Sequence, residues 1–278
     1  MSATLGKLFV VATPIGNLED ITLRALRVLR EADLIAAEDT RRTGLLLAHY
    51  NIHKPLVSCH EFNEAKRTPE LLQKLQEGQR IALVSDAGMP TISDPGLRLI
   101  RAVLETQTGC SGASLPRTLS GCAKRRLPAG NGPPALDTSA ATTAAIPTQP
   151  ASEIRSQIAL EVIPGPSAVT AALATSGLAA GPFLFYGFLP HKSAQRRKTL
   201  SVVAPLPYTL VFFESPYRLT KTLADMLDLL GDRQAVIVRE LTKKFEEILR
   251  GELGVLLKSL ENRRVKGEIT LIVEGRAK

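Results

Sequence analysis

The chain has 278 residues, 44% of them apolar, and carries 35 Lys and Arg against 27 Asp and Glu for a formal net charge of +8. At roughly 100–200 residues per domain this predicts two modest cores in a soluble, cytoplasmic protein: no apolar run reaches the roughly 20 residues of a membrane helix, and the N-terminus lacks a secretory-signal pattern. Cys59, Cys110 and Cys122 form no C-x-x-C pair and have no His at zinc-finger spacing, so neither structural disulfides nor a metal site is expected, while the positive charge is compatible with a polyanionic RNA partner.

Apolar runs over 7–12, 33–37, 56–58 and 80–85 predict strands. Amphipathic stretches over 21–31, 41–50, 64–77 and 97–105 predict the helices between them, with Asp20 as N-cap of the first and Gly78 ending the third. Residues 106–157 break this pattern with Gly-Ser, Pro-Pro and Ala-Thr-Thr-Ala-Ala stretches and no segment able to bury an apolar face. Such a composition predicts a disordered insertion, a flexible interdomain linker being the alternative. A strand over 158–163 and a helix over 167–175 resume the α/β order, and Gly181-Pro182 marks the expected boundary between an N-terminal domain, 1–180, and a C-terminal one, 181–278. In the second unit, strands are expected over 183–186, 208–213, 234–239, 247–250 and 268–274, with helices over 194–201, 217–230 and 252–260.

Most Gly, Pro and Asp residues outside the insertion fall just past the C-terminal ends of these strands, where open α/β sheets bind ligands. Four loops stand out: 13–17, 85–96, 164–168 and 214–216. None contains the Gly-Lys-Ser/Thr of a Walker loop, a G-x-G-x-x-G turn or a G-x-S-x-G elbow, which disfavours nucleoside triphosphates, NAD and serine-hydrolase chemistry. Glycine and proline at such sites bring backbone N–H and C=O groups close to a ligand such as an adenine or an amino acid moiety, although each loop taken singly also reads as a tight turn.

The motifs VATPIGNLEDIT, AAEDTRRTGLLL, VSDAGMPTISDPG, VIPGPSA, FYGFLP, VFFESPYR and GEITLIVEG, spread over 7–105 and 158–276, resemble the tetrapyrrole methylase superfamily. The TPIGN and SDAGMPTISDPG versions are similar to its branch that methylates a cytidine ribose 2′-hydroxyl in 16S ribosomal RNA. The resemblance implies a two-domain α/β fold with S-adenosylmethionine in the cleft between domains, a homodimer, and the small ribosomal subunit or its RNA as partner. It implies cofactor contacts at Pro14, Val84, Ser85, Asp86, Ser167, Ala168, Glu214 and Leu241, with Ala87 and Gly88 added by adjacency. Two departures from the branch are the insertion and an end at Lys278, where many members continue into a helical extension.

A ribose hydroxyl is a poor nucleophile, so methyl transfer to it gains from a proton acceptor or a nearby cation. Glu38 and Asp39, after a strand end, are candidate acceptors. Arg41 and Arg42 beside them are candidate phosphate contacts. Each carboxylate has a structural alternative as a helix N-cap or first-turn acid. Lys243 and Lys244, and Arg196, Arg197 and Lys198, read as RNA-facing or solvated. Two rival readings remain: methylation of a tetrapyrrole or other acceptor on the same fold, and a cofactor-binding protein without catalysis.

Overall fold

The computed structural model describes residues 6–108, 157–261 and 263–277. Its first sheet is wholly parallel, in the order β3-β2-β4-β1-β5, built from β1 (Lys7–Val11), β2 (Leu34–Ala37), β3 (Leu56–Ser58), β4 (Arg80–Val84) and β5 (Ala159–Ile163). Parallel strands need crossovers, and these are α1 (Leu23–Glu31), α2 (Thr40–His49), α3 (Glu64–Gln76) and α4 (Leu97–Thr108). The two faces of the sheet are covered by different helices. Ala25, Leu29 and Leu47 of α1 and α2 pack on Phe9, Val11 and Ile35, whereas Leu71, Leu75 and Leu99 of α3 and α4 pack on Leu8, Ile81 and Leu83. Burial on both faces explains why β1 and β4 read as continuous apolar runs rather than alternating ones.

The second sheet is mixed, in the order β6-β7-β10-β8-β9, from β6 (Phe183–Phe188), β7 (Thr209–Glu214), β8 (Gln234–Arg239), β9 (Glu247–Glu252) and β10 (Ile269–Val273). Helices α6 (Ser193–Val203), α7 (Leu219–Leu230) and α8 (Leu253–Leu260) cover one face through Leu200, Leu223, Met226 and Leu256. The other face takes α5 (Ala168–Ser176), whose Val169, Ala172 and Leu173 pack on Val211, Val236 and Ile272. The connection out of β5 therefore delivers its helix to the second sheet, and Arg250 of β9 fastens the end of that helix by donating to Ser176 O at 3.2 Å.

Three local expectations change. The cap of α1 is Thr22, whose hydroxyl accepts the Ala25 N–H at 3.0 Å. Asp20 instead closes a 3-10 turn, Leu18–Asp20, that Asn17 caps. Arg196 faces inward, 4% exposed, and its Nε donates to Asp225 Oδ2 at 2.7 Å, tying α6 to α7, while the part-exposed Arg197 bridges Asp225 and Asp228 at the surface. A buried guanidinium persists only when paired, so Arg196 serves the core of the second unit.

The expected disordered insertion lies, from 109 to 156, outside the described residues, whereas 106–108 extend α4. Its flanks are tied directly: Gln107 Nε2 donates to Ile158 O at 2.7 Å and Gln157 Nε2 donates to Gln107 O at 3.1 Å. Replacing 109–156 by a loop about ten times shorter lowers the closure cost by about 2 kcal/mol. Calorimetry of that variant is expected to show a melting temperature equal to or a few degrees above that of the parent; a fall would contradict it.

Candidate active site

Strands β1 and β4 are neighbours whose following helices lie on opposite faces, so the switch point of the first sheet falls between their C-terminal ends. There the loops are clipped together. Thr13 and Gly88 exchange backbone hydrogen bonds of 2.9 and 3.0 Å, and the Thr13 hydroxyl donates to Ser85 O at 3.0 Å. Gly88 has φ +80°, a conformation that glycine adopts without steric cost. The loop after β2 joins through a reciprocal pair: Glu38 Oε2 accepts the Asp86 N–H at 3.2 Å, and Asp86 Oδ1 accepts the Asp39 N–H at 3.0 Å.

The same loops meet the second unit. Gly16 lies against the β8–β9 connection so closely that a Cβ would stand 2.5 Å from Lys243 Cγ and 2.9 Å from Leu241 O, and the Asn17 N–H donates to Thr242 Oγ1 at 3.1 Å. That connection is strained, with Glu240 at φ +50° and Thr242 at φ +65°. Strain of this kind persists only where surrounding bonds over-determine it. Lys243 Nζ supplies them by bridging Glu240 at 3.0 Å and Glu268 at 2.9 Å.

Between the two units lies a cavity of about 360 Å³, within the range of small-ligand sites. Ile15, Met89, Phe213, Val238, Leu241 and Ile269 give it apolar walls suited to an adenine. Ser167 and Ala168, also in the lining, begin α5, and the Ser167 side chain makes no capping bond, so the first amides of the helix are left as donors for an anionic group such as a carboxylate.

Of the expected cofactor contacts, Ala87, Gly88, Ser167, Ala168, Glu214 and Leu241 line this cavity. Pro14, Ser85 and Asp86 line an adjoining hollow that also holds Arg42. Val84 lines neither; its side chain is buried in β4 and its carbonyl accepts the Glu38 N–H. The carboxylate of Glu214 is already engaged, accepting from Ser215 N–H at 2.7 Å and the Thr222 hydroxyl at 2.6 Å and forming an ion pair with Arg218 at 2.6 Å.

Glu38 and Asp39 line neither space. Asp39 is the N-cap of α2, its Oδ1 accepting the Arg41 N–H at 2.8 Å, and the Arg41 guanidinium holds its carboxyl down at about 2. Burial raises the Glu38 carboxyl, opposed by the Asp86 N–H. Arg41 and Arg42 reach solvent while pairing with Asp39 at 2.8 Å and Asp86 at 3.3 Å. Lys243 is neutralised by its two carboxylates, whereas Lys244 beside it is exposed with its Nζ 5.7 Å from the Phe245 ring centroid. The residue that sequence reasoning missed is Asp94. It lines the cavity, and burial together with the Glu38 charge lifts its carboxyl to about 6. The available signal was a second acid in the loop that already holds Asp86, but its closeness to Glu38 depends on the alignment of three strand ends.

A parallel sheet and a mixed sheet enclosing a ligand-sized, largely apolar cleft lined by backbone define a small-molecule-binding α/β protein. The chain belongs to the family of Tetrapyrrole (Corrin/Porphyrin) Methylases, whose sequence pattern matches residues 7–116 and 137–257. It is 41% identical over 272 residues to the ribosomal RNA small subunit methyltransferase I of Thermotoga maritima, covering 98% of this chain and 100% of that one. It is 44% identical to the protein of the same name from Halalkalibacterium halodurans, covering 97% of this chain and 76% of that one. Among solved structures, uroporphyrin-III C-methyltransferase from Thermus thermophilus complexed with S-adenosyl homocysteine aligns with a TM-score of 0.55 at 18% identity, covering 96% and 97% of the two chains, a likeness of fold.

Proposed function

We propose that this chain transfers the methyl group of S-adenosylmethionine to the 2′-hydroxyl of a cytidine ribose in 16S ribosomal RNA. The observation that carries the reading is identity of 41% and 44%, over nearly the whole chain, to proteins named ribosomal RNA small subunit methyltransferase I. Tetrapyrrole substrates have only the fold in their favour. When bound, the cofactor supplies an electrophilic methyl on a sulfonium, so the work of the chain is alignment and exclusion of water. The amides at the start of α5 suit its carboxylate, and the walls formed by Ile15, Phe213 and Leu241 suit its adenine. Pro14, Ser85 and Asp86, which line the adjoining hollow, and Val84 at the end of β4 would be the further cofactor contacts that the resemblance implies.

Arg42, in the lining of that hollow, and Arg41 next to it in the chain are both exposed and would be phosphate contacts, and Lys243 braces the β8–β9 connection that meets Gly16 and Asn17. A cytoplasmic homodimer with domains at 1–180 and 181–278 completes the reading. Among the described residues no helix is long and apolar enough to cross a membrane, and no group of His, Cys, Asp or Glu could hold a metal ion.

The test is incorporation of labelled methyl from S-adenosylmethionine into small ribosomal subunits from cells lacking the activity. Mass measurement should place a single methyl on a cytidine ribose. Unlabelled subunits in the presence of measurable cofactor binding would favour another acceptor or a non-catalytic protein.

A further inference from the structure

We propose that Asp94 is the catalytic base of this site, taking the proton of the acceptor hydroxyl as the methyl group arrives; this rests on the reading of the acceptor as a ribose 2′-hydroxyl. The argument is first one of elimination. Among the described residues no His, Cys, Lys, Arg or Tyr lines the cavity, and its acids are Asp94, Glu214 and Glu268. Both oxygens of Glu214 accept internal hydrogen bonds, and its side chain is fully buried. Glu268 is paired with Lys243. Among the described residues Asp94 makes no ion pair, which leaves it the one acid of the lining whose oxygens are not held by a cation.

Its placement is built rather than incidental. Thr91 at φ +74° and Gly96 at φ +117° bend the chain on either side of it, and a Cβ on Gly96 would stand 2.6 Å from Leu83 Cδ2. The buried Glu64 of α3 accepts the Gly96 N–H at 3.0 Å and the Arg98 N–H at 2.7 Å, pinning the C-terminal end of the loop and capping α4. At the other end Ser93 Oγ lies 3.4 Å from the point where a Cβ of Gly187 would sit, in the bulge of β6. The loop thus spans from the first sheet to the second and carries Asp94 into the cleft wall between them.

The surroundings tune it. Burial is the largest influence, the charges of Glu38 and Asp86 add to it, and the Ser85 hydroxyl opposes it, for a value of about 6. Arg42, 3.3 Å from Asp86, offsets part of that acidic cluster, while Glu214 and Glu268 belong to the same cavity wall and are already paired. Such a carboxylate is charged at pH 7 yet a stronger base than an ordinary aspartate, the compromise that general-base catalysis favours. In the step, the ribose oxygen forms its bond to the methyl carbon as the carbon–sulfur bond breaks. The electron pair of that bond stays on sulfur, leaving a neutral thioether, and the hydroxyl proton passes to Asp94 and then to solvent.

A raised carboxyl binds more protons folded than unfolded between about pH 4 and 6, so the ionised form lowers stability as pH rises through that window. Asp94→Asn removes that penalty and is expected to melt no lower than the parent at pH 7. Single-turnover methylation of small subunits at saturating cofactor should fall by about 10²- to 10⁴-fold in Asp94→Asn. Its dissociation constant for S-adenosylhomocysteine, measured by calorimetry, should stay within about threefold. The parent's rate should rise tenfold per pH unit and level off near pH 6, and Glu38→Gln, by removing a like charge, should move that midpoint down. Carboxyl NMR of the free protein should show the same titration for Asp94. A rate for Asp94→Asn within threefold of the parent, or a carboxyl titrating near 4, overturns the assignment. A parent that leaves subunits unmethylated instead refutes the acceptor reading itself.

Discussion

Gly16→Val is expected to weaken S-adenosylmethionine binding by roughly 5- to 150-fold while both sheets stay folded. The nearest atoms to the substituted position belong to Leu241, Thr242 and Lys243 of the β8–β9 connection, not to a fully buried core side chain. The substitution places a branched side chain where even a Cβ would stand 2.5 Å from Lys243 Cγ, 2.7 Å from Thr242 Oγ1 and 2.9 Å from Leu241 O. The two side-chain atoms can yield, but the Leu241 carbonyl belongs to a connection that Glu240, Lys243 and Glu268 hold in place. The first-unit loop must therefore retreat, breaking the bond from Asn17 N–H to Thr242 Oγ1 and shifting Ile15 and Leu241, which face the same cavity. Overpacking of this kind costs about 1–3 kcal/mol. Spent wholly on the bound state, that is roughly a 5- to 150-fold loss in affinity. Calorimetry with S-adenosylhomocysteine reads the affinity and circular dichroism the fold. Unchanged affinity would mean that contact between the loops does not shape the cofactor site.

The sheets were legible in the sequence to within one or two residues at most ends, because β1, β4, β7 and β10 are buried on both faces and their few polar residues, such as Lys7, Arg80 and Glu214, stand mostly at strand ends. The loops were legible as ligand-facing for a related reason: the densest Gly and Pro clusters of the described residues fall where the chain leaves β1, β4 and β5. What was not legible depends on partners distant in the chain. Arg196 and Arg197 look like solvated cations until α7 brings Asp225 and Asp228 beside them. Lys243 looks free for RNA until Glu268, 25 positions on, arrives at 2.9 Å. Glu38, Asp39, Asp86 and Asp94 illustrate the converse. All four are acids after strand ends, and local sequence cannot say which one caps a helix, which pair exchange backbone bonds and which one enters the cavity. Only the strand order β3-β2-β4-β1-β5, which sets the ends of β2 and β4 side by side, makes that division.

Glu214 tests whether a residue at the cavity wall serves the ligand or the frame. Its carboxylate holds the turn after β7 by accepting the Ser215 N–H, reaches α7 through the Thr222 hydroxyl, and pairs with Arg218 at 2.6 Å. Arg218 is itself mostly buried, with NH1 donating to Leu189 O at 3.1 Å and a buried Nε that has no partner. Glu214→Ala would strand a guanidinium that is already one hydrogen bond short. Removing one partner of a buried pair costs about 3–5 kcal/mol, and at about 2–4 °C per kcal/mol for a chain of this size the melting temperature should fall by roughly 6–20 °C. Replacing both Glu214 and Arg218 by methionine leaves no uncompensated charge and should recover most of the loss. Glu214→Gln keeps an acceptor for Ser215 and Thr222, so its affinity for S-adenosylhomocysteine, measured well below its melting temperature, should remain within about threefold of the parent. A loss above tenfold in that variant without a change in melting temperature would instead place the carboxylate on the cofactor. The frame assignment predicts the opposite separation, with stability lost and affinity kept, because both carboxylate oxygens of Glu214 already accept hydrogen bonds from the chain and one is paired with Arg218.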